Sequence, residues 1–425
     1  MIETLRNAWK ITDLRKKILF TLFILAIYRF GTQVFVPFVD VTTYKDWFDE
    51  TLSNTALGVI NMMSGGAFSS GSIFSLSIQP YINASIIMNL LTVGIPALER
   101  MQKEGGEEGR KKIAAITRYA TVALGGLLGW GNYAMMRSVP GVLSDTGWFS
   151  AFVIILTLTA GSAFIMWLGE QITEFGVGNG ISMILFASIV SRGPSMILSG
   201  YEGLRSGAID WWVVALIIVL GIAAVAFVVY ITNAERRVPI QYSKRMVGRK
   251  MYGGQSTYLP LKVNMSGVMP VIFASSLVSF PATIAAFVSS NENNLISRWF
   301  GPTTWPYATV YLLLIVGFSY FYQAIQFNPV EIANNLKQNG GFIPGFRPGK
   351  PTSDFIKRLL NRITLFGAVF LGIIAVMPIL MANFMTVQGL AMGGTSLLIV
   401  VGVALETVKS IESQMMMRHY KGFLE

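Results

Sequence analysis

Cysteine is absent from this 425-residue chain, and histidine occurs once, as His419 near the end. Structural disulfides, thiolate metal sites and thiol chemistry are excluded, as is a histidine-based metal or catalytic cluster. Charge is scarce too: 13% of residues are Asp, Glu, Lys or Arg, against roughly a quarter in an ordinary soluble domain. A nucleotide-binding phosphate loop is missing, because Gly65-Gly66 and Gly253-Gly254 lack the lysine and the spacing it requires. No nucleophile has a base beside it, and neither an acidic ring nor a carbonyl-filter motif of an ion-selective pore is present. Enzymatic readings and ion-selective channels are therefore disfavoured, and no cofactor is implied.

What is abundant is apolar side chain, 53% of the chain, gathered in runs long enough to cross a bilayer. Windows of span length fall near 18–36, 73–96, 115–136, 149–169, 181–200, 211–232, 265–288, 306–327, 362–382 and 392–409. The expectation is an all-α polytopic membrane protein with ten transmembrane helices. The basic, amphipathic N-terminus is followed by no small-residue cleavage site, so the first run reads as a retained span. Lys and Arg crowd the segment before span 1 and the loops between spans 2 and 3, 6 and 7, and 8 and 9, whereas Asp40, Asp46, Asp49, Glu50, Asp145, Asp210 and Glu292 lie in the opposite loops. By the positive-inside rule both termini and the basic loops are cytoplasmic. One cytoplasmic turn breaks the pattern, carrying Glu170 and Glu174 with no Lys or Arg.

Spans 1–5 and 6–10 form two halves of equal, odd number, so the second lies inverted relative to the first, an arrangement common among membrane transport proteins. Residues 1–192 make the first half and 211–425 the second. The outer connection 193–210, with Gly193, Pro194, Gly200, Gly203 and Gly207, is a candidate hinge loop. Residues 233–264 alternate apolar and basic side chains as a hairpin does, and the Gly/Pro-rich 328–361 reads as an ordered non-helical loop. In the latter, Phe342, Ile343 and Phe346 flank Arg347, exposed apolar groups that a docked partner would explain. Topology and attraction to anionic lipid account for the charge alone.

The stretch 57–95 stands apart. A short apolar segment passes through Ser64-Gly65-Gly66 and Ser69-Ser70-Gly71 into an apolar run holding Pro80, Asn83 and Asn89, so the second span reads as a broken helix. Irregular backbone at membrane depth is tolerated only where protein or a water-filled cavity shields it. Ionisable residues, which a secondary transporter places at the midplane, are nearly missing from the spans: Arg29 and Glu406 lie toward span ends, where they snorkel or pair locally. What remains is apolar: Ile78 and Ile82 four apart on span 2, Leu185 and Ile189 four apart on span 5, and Ile272 and Ile399 midway along spans 7 and 10. A broken helix lining a pathway, a secondary transporter and a pore-less scaffold all stay open on these grounds.

Several long motifs, in order across the whole chain, resemble the SecY family of protein-conducting channels. They are SIFSLSIQPYINASIIMNLLT at 72–92, GEQITEFGVGNGISMILF at 169–186, QSTYLPLKVNMSGVMPVIFASS at 255–276, NPVEIANNLKQNGGFIPGFRPGKPT at 328–352 and GGTSLLIVVGVALET at 393–407. The resemblance implies two pseudo-symmetric halves clamped around an hourglass pore in the bacterial plasma membrane, passing unfolded precursors and releasing apolar segments sideways into lipid. It implies a plug formed by Leu57, Gly58, Val59, Ile60, Asn61, Met62, Met63, Ser64, Gly65 and Gly66, with Ser69–Ile73 as its tether. It implies a pore ring of Ile78, Ile82, Leu185, Ile189, Ile272 and Ile399, and a lateral gate between spans 2 and 3 and spans 7 and 8. Among partners it implies SecE and SecG type subunits, the SecA ATPase, signal peptides and a translating ribosome, whose RNA is the only nucleic acid expected to bind. Arg236, Arg237, Lys244, Arg245, Arg249, Lys250, Arg347, Lys350 and Arg358 are the implied partner-binding residues, with Arg347 foremost.

Overall fold

The computed structural model describes residues 6, 8–52, 56–207, 210–242, 245–247, 250–252, 256–288, 304–384 and 393–421. Helices dominate. In chain order they are α1 Thr12–Gly31, α2 Val41–Thr51, α3 Ala56–Met63, α4 Gln79–Gly94, α5 Pro96–Lys103, α6 Gly106–Ser138, α7 Trp148–Phe175, α8 Gly180–Ser191, α9 Gly193–Arg205 and α10 Trp211–Asn233. After strands β1 Glu235–Tyr242, β2 Arg245–Val247, β3 Lys250–Tyr252 and β4 Ser256–Lys262 come α11 Met269–Val288, α12 Trp305–Gln326, α13 Pro329–Gln338, β5 Gly341–Phe342, α14 Lys350–Phe384 and α15 Gly393–Lys421.

Each expected span overlaps helix, the 181–200 window being divided between α8 and α9, with shifts that have local causes. Among the described residues, length and composition alone single out six helices able to cross a membrane, or seven with α4 and the start of α5 taken as one bent span. The bend there is 104°, where Pro96 begins a new helix. The first span starts and ends earlier than its apolar window: α1 draws in Asp13, Arg15, Lys16 and Lys17 and closes at Gly31, after which Phe35 bridges to Ser72. The second span begins at Gln79, not near 73. Residues 64–78 instead form successive turns, closed by Ser72 N–H to Ala67 O, Ser75 N–H to Ser72 O and Ser77 N–H to Phe74 O, and Pro80 fits the first turn of α4 because it needs no amide hydrogen. Ile78 is thus the residue that caps α4, yet Ile82 N–H still donates to its carbonyl at 3.0 Å.

Two connections expected as loops are largely helical. The outer 193–210 connection contains α9, entered through Pro194. In 328–361, α13 is capped by Asn328, whose side chain accepts from Val330 N–H and Glu331 N–H, and α14 begins at Lys350. The 233–264 segment is a hairpin as its alternation indicates: β1 pairs antiparallel with β4 from Glu235–Lys262 to Gln241–Ser256, and β5 adds to the other edge of β1. Glu170, whose sign was anomalous, accepts from Arg118 Nε of the neighbouring helix at 2.9 Å.

Small residues set helix spacing, as membrane packing requires. At Gly125 of α6 a Cβ would lie 2.9 Å from Ser162 Oγ of α7, and at Gly180 it would overlap the carbonyl of Gly169. The first half packs α4 on α6 and α6 on α7, and the second packs α12 on α11 and α14. They meet where α4 and α6 face α11, and where α8 faces α15.

Candidate functional site: pore, plug and basic loops

All six residues of the implied ring enter the same apolar cluster. Ile78, Ile82, Leu185, Ile272 and Ile399 are at most 1% exposed, and Ile189 packs partly buried against them. They arrive from the start of α4 and from α8, α11 and α15, so both halves contribute. None offers water a hydrogen bond. A constriction so lined dewets readily and makes no sequence demand on a passing chain.

Ile82 and Ile272 also wall a cavity of about 470 Å³, which they share with Tyr81, Lys262, Glu406 and Lys409. This vestibule lies toward the β1–β4 hairpin, the side on which the basic loops gather. Glu406 therefore faces a cavity rather than lipid. The charged wall escaped the sequence reading because Lys262 and Glu406 are 144 positions apart in a strand and a helix that only the fold joins (406 − 262 = 144). Glu406 and Lys409, three apart on α15, were the one local signal.

Helix α3 packs between two apolar clusters. Spacing of three places Leu57 and Ile60 on one face, where they join Tyr44, Phe48, Phe68, Met135, Met136 and Val142 in an outer apolar cap. Spacing of four places Val59 and Met63 on another face, and these pack into the ring's cluster. A single short helix thus bridges cap and ring, touching α8 of the first half and α11 of the second. Its polar residues are satisfied internally: Asn61 Oδ1 accepts from Ser69 N–H at 3.0 Å, and Ser64 Oγ accepts from Phe68 N–H at 3.2 Å and donates to Asn61 O at 3.0 Å. Met62 is partly buried, Gly58 is buried, and Gly65 (φ 70°) and Gly66 (φ 90°) turn the chain through the left-handed region that favours glycine. The Asp40 carboxylate caps α2 over this assembly. Its pKa is held below the ordinary carboxylate value by a hydrogen bond from the Thr42 hydroxyl and by amide donors at Thr43 and Thr42.

The basic loops have a core of their own. Val238, Ile240, Leu261, Leu336, Ile343, Ile356 and Leu360 are buried together. This corrects the expectation that apolar groups flank Arg347 exposed: Ile343 is 2% exposed, Phe346 packs on Phe355 with ring centroids 4.2 Å apart, and Phe342 lies half-buried in β5. What the loops present outward is charge. Arg236, Arg237, Arg347, Lys350 and Arg358 are exposed, with Arg237 Nε donating to Glu235 at 2.8 Å. Arg245 and Lys250 belong to β2 and β3, while Lys244 and Arg249 lie outside the described residues. Among the described residues no acidic or histidine cluster suited to a metal ion occurs.

Comparison with known proteins gives the chain its lineage. The SecY family model matches residues 72–408. The protein translocase subunit SecY of Streptomyces scabiei is 47% identical with the whole of both chains covered, and that of Thermus thermophilus is 42% identical, covering all of this chain and 98% of the relative. Among solved structures, a protein-conducting channel superposes with a TM-score of 0.66 at 20% identity, covering 94% of this chain and 92% of the other. A Sec61 channel from a canine ribosome complex gives 0.62 at 18% identity over 94% and 92%. The chain that builds this apolar cluster, adjoining cavity and short helix is a member of the SecY family, a protein-conducting translocation channel and not an enzyme.

Proposed function

We propose that the chain is the pore subunit of a general secretion channel in a bacterial plasma membrane, with cytoplasmic termini, closed by the segment 57–66 and by the ring of Ile78, Ile82, Leu185, Ile189, Ile272 and Ile399. The observation that carries this reading is the position of α3, with Met63 against the ring's cluster and Leu57 and Ile60 in the outer cap. A related SecY protein is described as having a plug domain that stabilises the closed state and maintains a membrane seal. A polypeptide enters from the vestibule, displaces α3 and crosses the ring. The seam of α4 and α6 against α11, with α12 behind, is the lateral gate: an apolar segment of about 20 residues reaching it partitions into lipid, where its burial is favourable. The two halves, 1–192 and 211–425, swing about the 193–210 connection. Exposed arginines and lysines of the loops receive the motor, whether SecA or a translating ribosome, and SecE and SecG type subunits embrace the halves. Relatives of this fold are solved in ribosome complexes.

The test is deletion of residues 57–66 in the purified channel complex fused into planar bilayers without precursor. Ion conductance rises above the wild-type baseline while SecA-driven precursor transport continues. An unchanged baseline removes the plug assignment.

A further inference from the structure

Tyr28, on α1, was not among the residues read from sequence. It is 1% exposed, and its ring stacks on Phe74, the residue after the tether, with centroids 5.7 Å apart and planes 5° from parallel. Its hydroxyl donates to the carbonyl of Ser64, at the end of α3, at 3.2 Å and lies 2.7 Å from Ser188 Oγ on α8. One residue on, Arg29 Nη1 donates to the carbonyl of Gly65 at 3.3 Å and to Thr32 Oγ1 at 3.3 Å. Gly65 makes this approach possible, since a Cβ there would lie 3.0 Å from the Ser188 carbonyl. Two consecutive carbonyls of the segment that must move are thus gripped by two consecutive side chains of a helix that stays.

The hydroxyl pair has a second arrangement ready. Ser188 Oγ also lies 2.8 Å from the Ile184 carbonyl, and either Tyr28 or Ser188 can be donor between them. With the plug in place, Ser188 donates to Tyr28 and Tyr28 to Ser64. With the plug gone, Tyr28 donates to Ser188 and Ser188 to Ile184. Both hydroxyl protons keep an acceptor in either state, so release leaves no buried donor unpaired, and the freed Ser64 carbonyl goes to water. An unpaired buried donor would otherwise hold the plug far more tightly.

The moving body is larger than 57–66, because Asn61, Ser64, Phe68 and Ser69 are hydrogen-bonded among themselves. Fixed chain begins at Gly71 (φ 58°), whose carbonyl accepts from Val36 N–H at 2.9 Å, and Ile73 N–H donates to Val34 O at 2.9 Å. We infer that Tyr28, Arg29 and Ser188 are positioning residues that form a latch on the Ser64 and Gly65 carbonyls, setting how readily the body ending at Ser70 swings out about Gly71. The inference rests on the plug assignment proposed above.

The test measures precursor-free open probability of the channel complex in planar bilayers for Tyr28→Phe, Ser188→Ala, Arg29→Gln and Arg29→Lys. Tyr28→Phe keeps the stacked ring and removes only the hydroxyl. It is expected to raise open probability about tenfold, the equilibrium equivalent of one buried hydrogen bond, without moving the thermal unfolding midpoint. Arg29→Gln acts in the same direction, and Arg29→Lys restores much of the closure. Ser188→Ala, which leaves the Tyr28 hydroxyl without its second acceptor once the plug departs, shifts the other way and lowers open probability, and it carries the test if Tyr28→Phe fails to assemble. Combined with deletion of 57–66, Tyr28→Phe adds nothing further. If the deletion leaks while Tyr28→Phe and Ser188→Ala behave as wild type, or if Tyr28→Phe adds the same factor in the deleted channel, the latch is wrong and the plug stands. If the deletion itself does not leak, plug and latch fall together.

Discussion

Replacing Ile82 by asparagine tests the seal at the point where ring and vestibule meet. Ile82 is 1% exposed although it touches the cavity, so its whole side chain is withdrawn from water in the closed state. Removing it forfeits about 1.5–3 kcal/mol of burial, and an amide left without a partner costs a further ~1–3 kcal/mol. Vestibule water reaches part of that amide, so the lower end of the combined range applies, about 3 kcal/mol against the dry ring. At roughly 1.4 kcal/mol per tenfold, the fraction of time the ring is wet rises about a hundredfold. The assay is ion conductance of the precursor-free channel complex, with Ile82→Leu as the volume-conserving control. That control costs less than about 1.5 kcal/mol and so shifts the baseline less than about tenfold. Wild-type conductance in Ile82→Asn would refute the view that an apolar ring holds ions back, because a buried amide at that position must ease wetting of a constriction kept dry by apolar side chains.

Three further outcomes follow from the geometry. A Cβ at Gly161 would overlap the Ile73 carbonyl, which is backbone and has little room to yield, so Gly161→Ala should destabilise the tether by about 1–3 kcal/mol or more and lower the thermal midpoint, while Gly200→Ala, in open space, should leave it unchanged. Arg347→Glu should cut SecA-stimulated precursor transport with normal yield of folded protein, because Arg347 is exposed and only its carbonyl is engaged, by the Thr352 hydroxyl at 2.8 Å; intact coupling would remove it from the docking surface. Asp40 titrates below its ordinary value of 3.8, so its cap on α2 is fully present above that value and is lost as pH falls through the depressed one. Hydrogen exchange of 41–51 should accelerate on acidification in the wild type with a step that Asp40→Asn lacks, and identical profiles would show that the cap does not titrate.

Much of the molecule was legible because its signals are local. A bilayer needs about 20 apolar residues per crossing, and a strand alternates its faces, so span positions and the 233–264 hairpin could be read directly. Locality also explains the errors. The end of the 64–78 stretch, Ile73–Ile78, looks continuous with the span, but in this Ser- and Gly-rich segment backbone hydrogen bonds close successive turns, and α4 waits for Gln79. Phe346 looks like a docking group in sequence because Phe355, its partner, is supplied by the following helix.

By itself the sequence determined that the chain is a mostly helical, multi-pass membrane protein, because long apolar runs and scarce charge are properties written along the chain. The tertiary structure alone decided what the apolar residues do. Leu57 and Met63 sit on one short helix, yet one faces an outer cap and the other the ring, and Tyr28 becomes a latch only because α1 and α8 bring two hydroxyls to the carbonyl of Ser64. Those functions depend on which surfaces meet across hundreds of residues, and no periodicity along the chain encodes that.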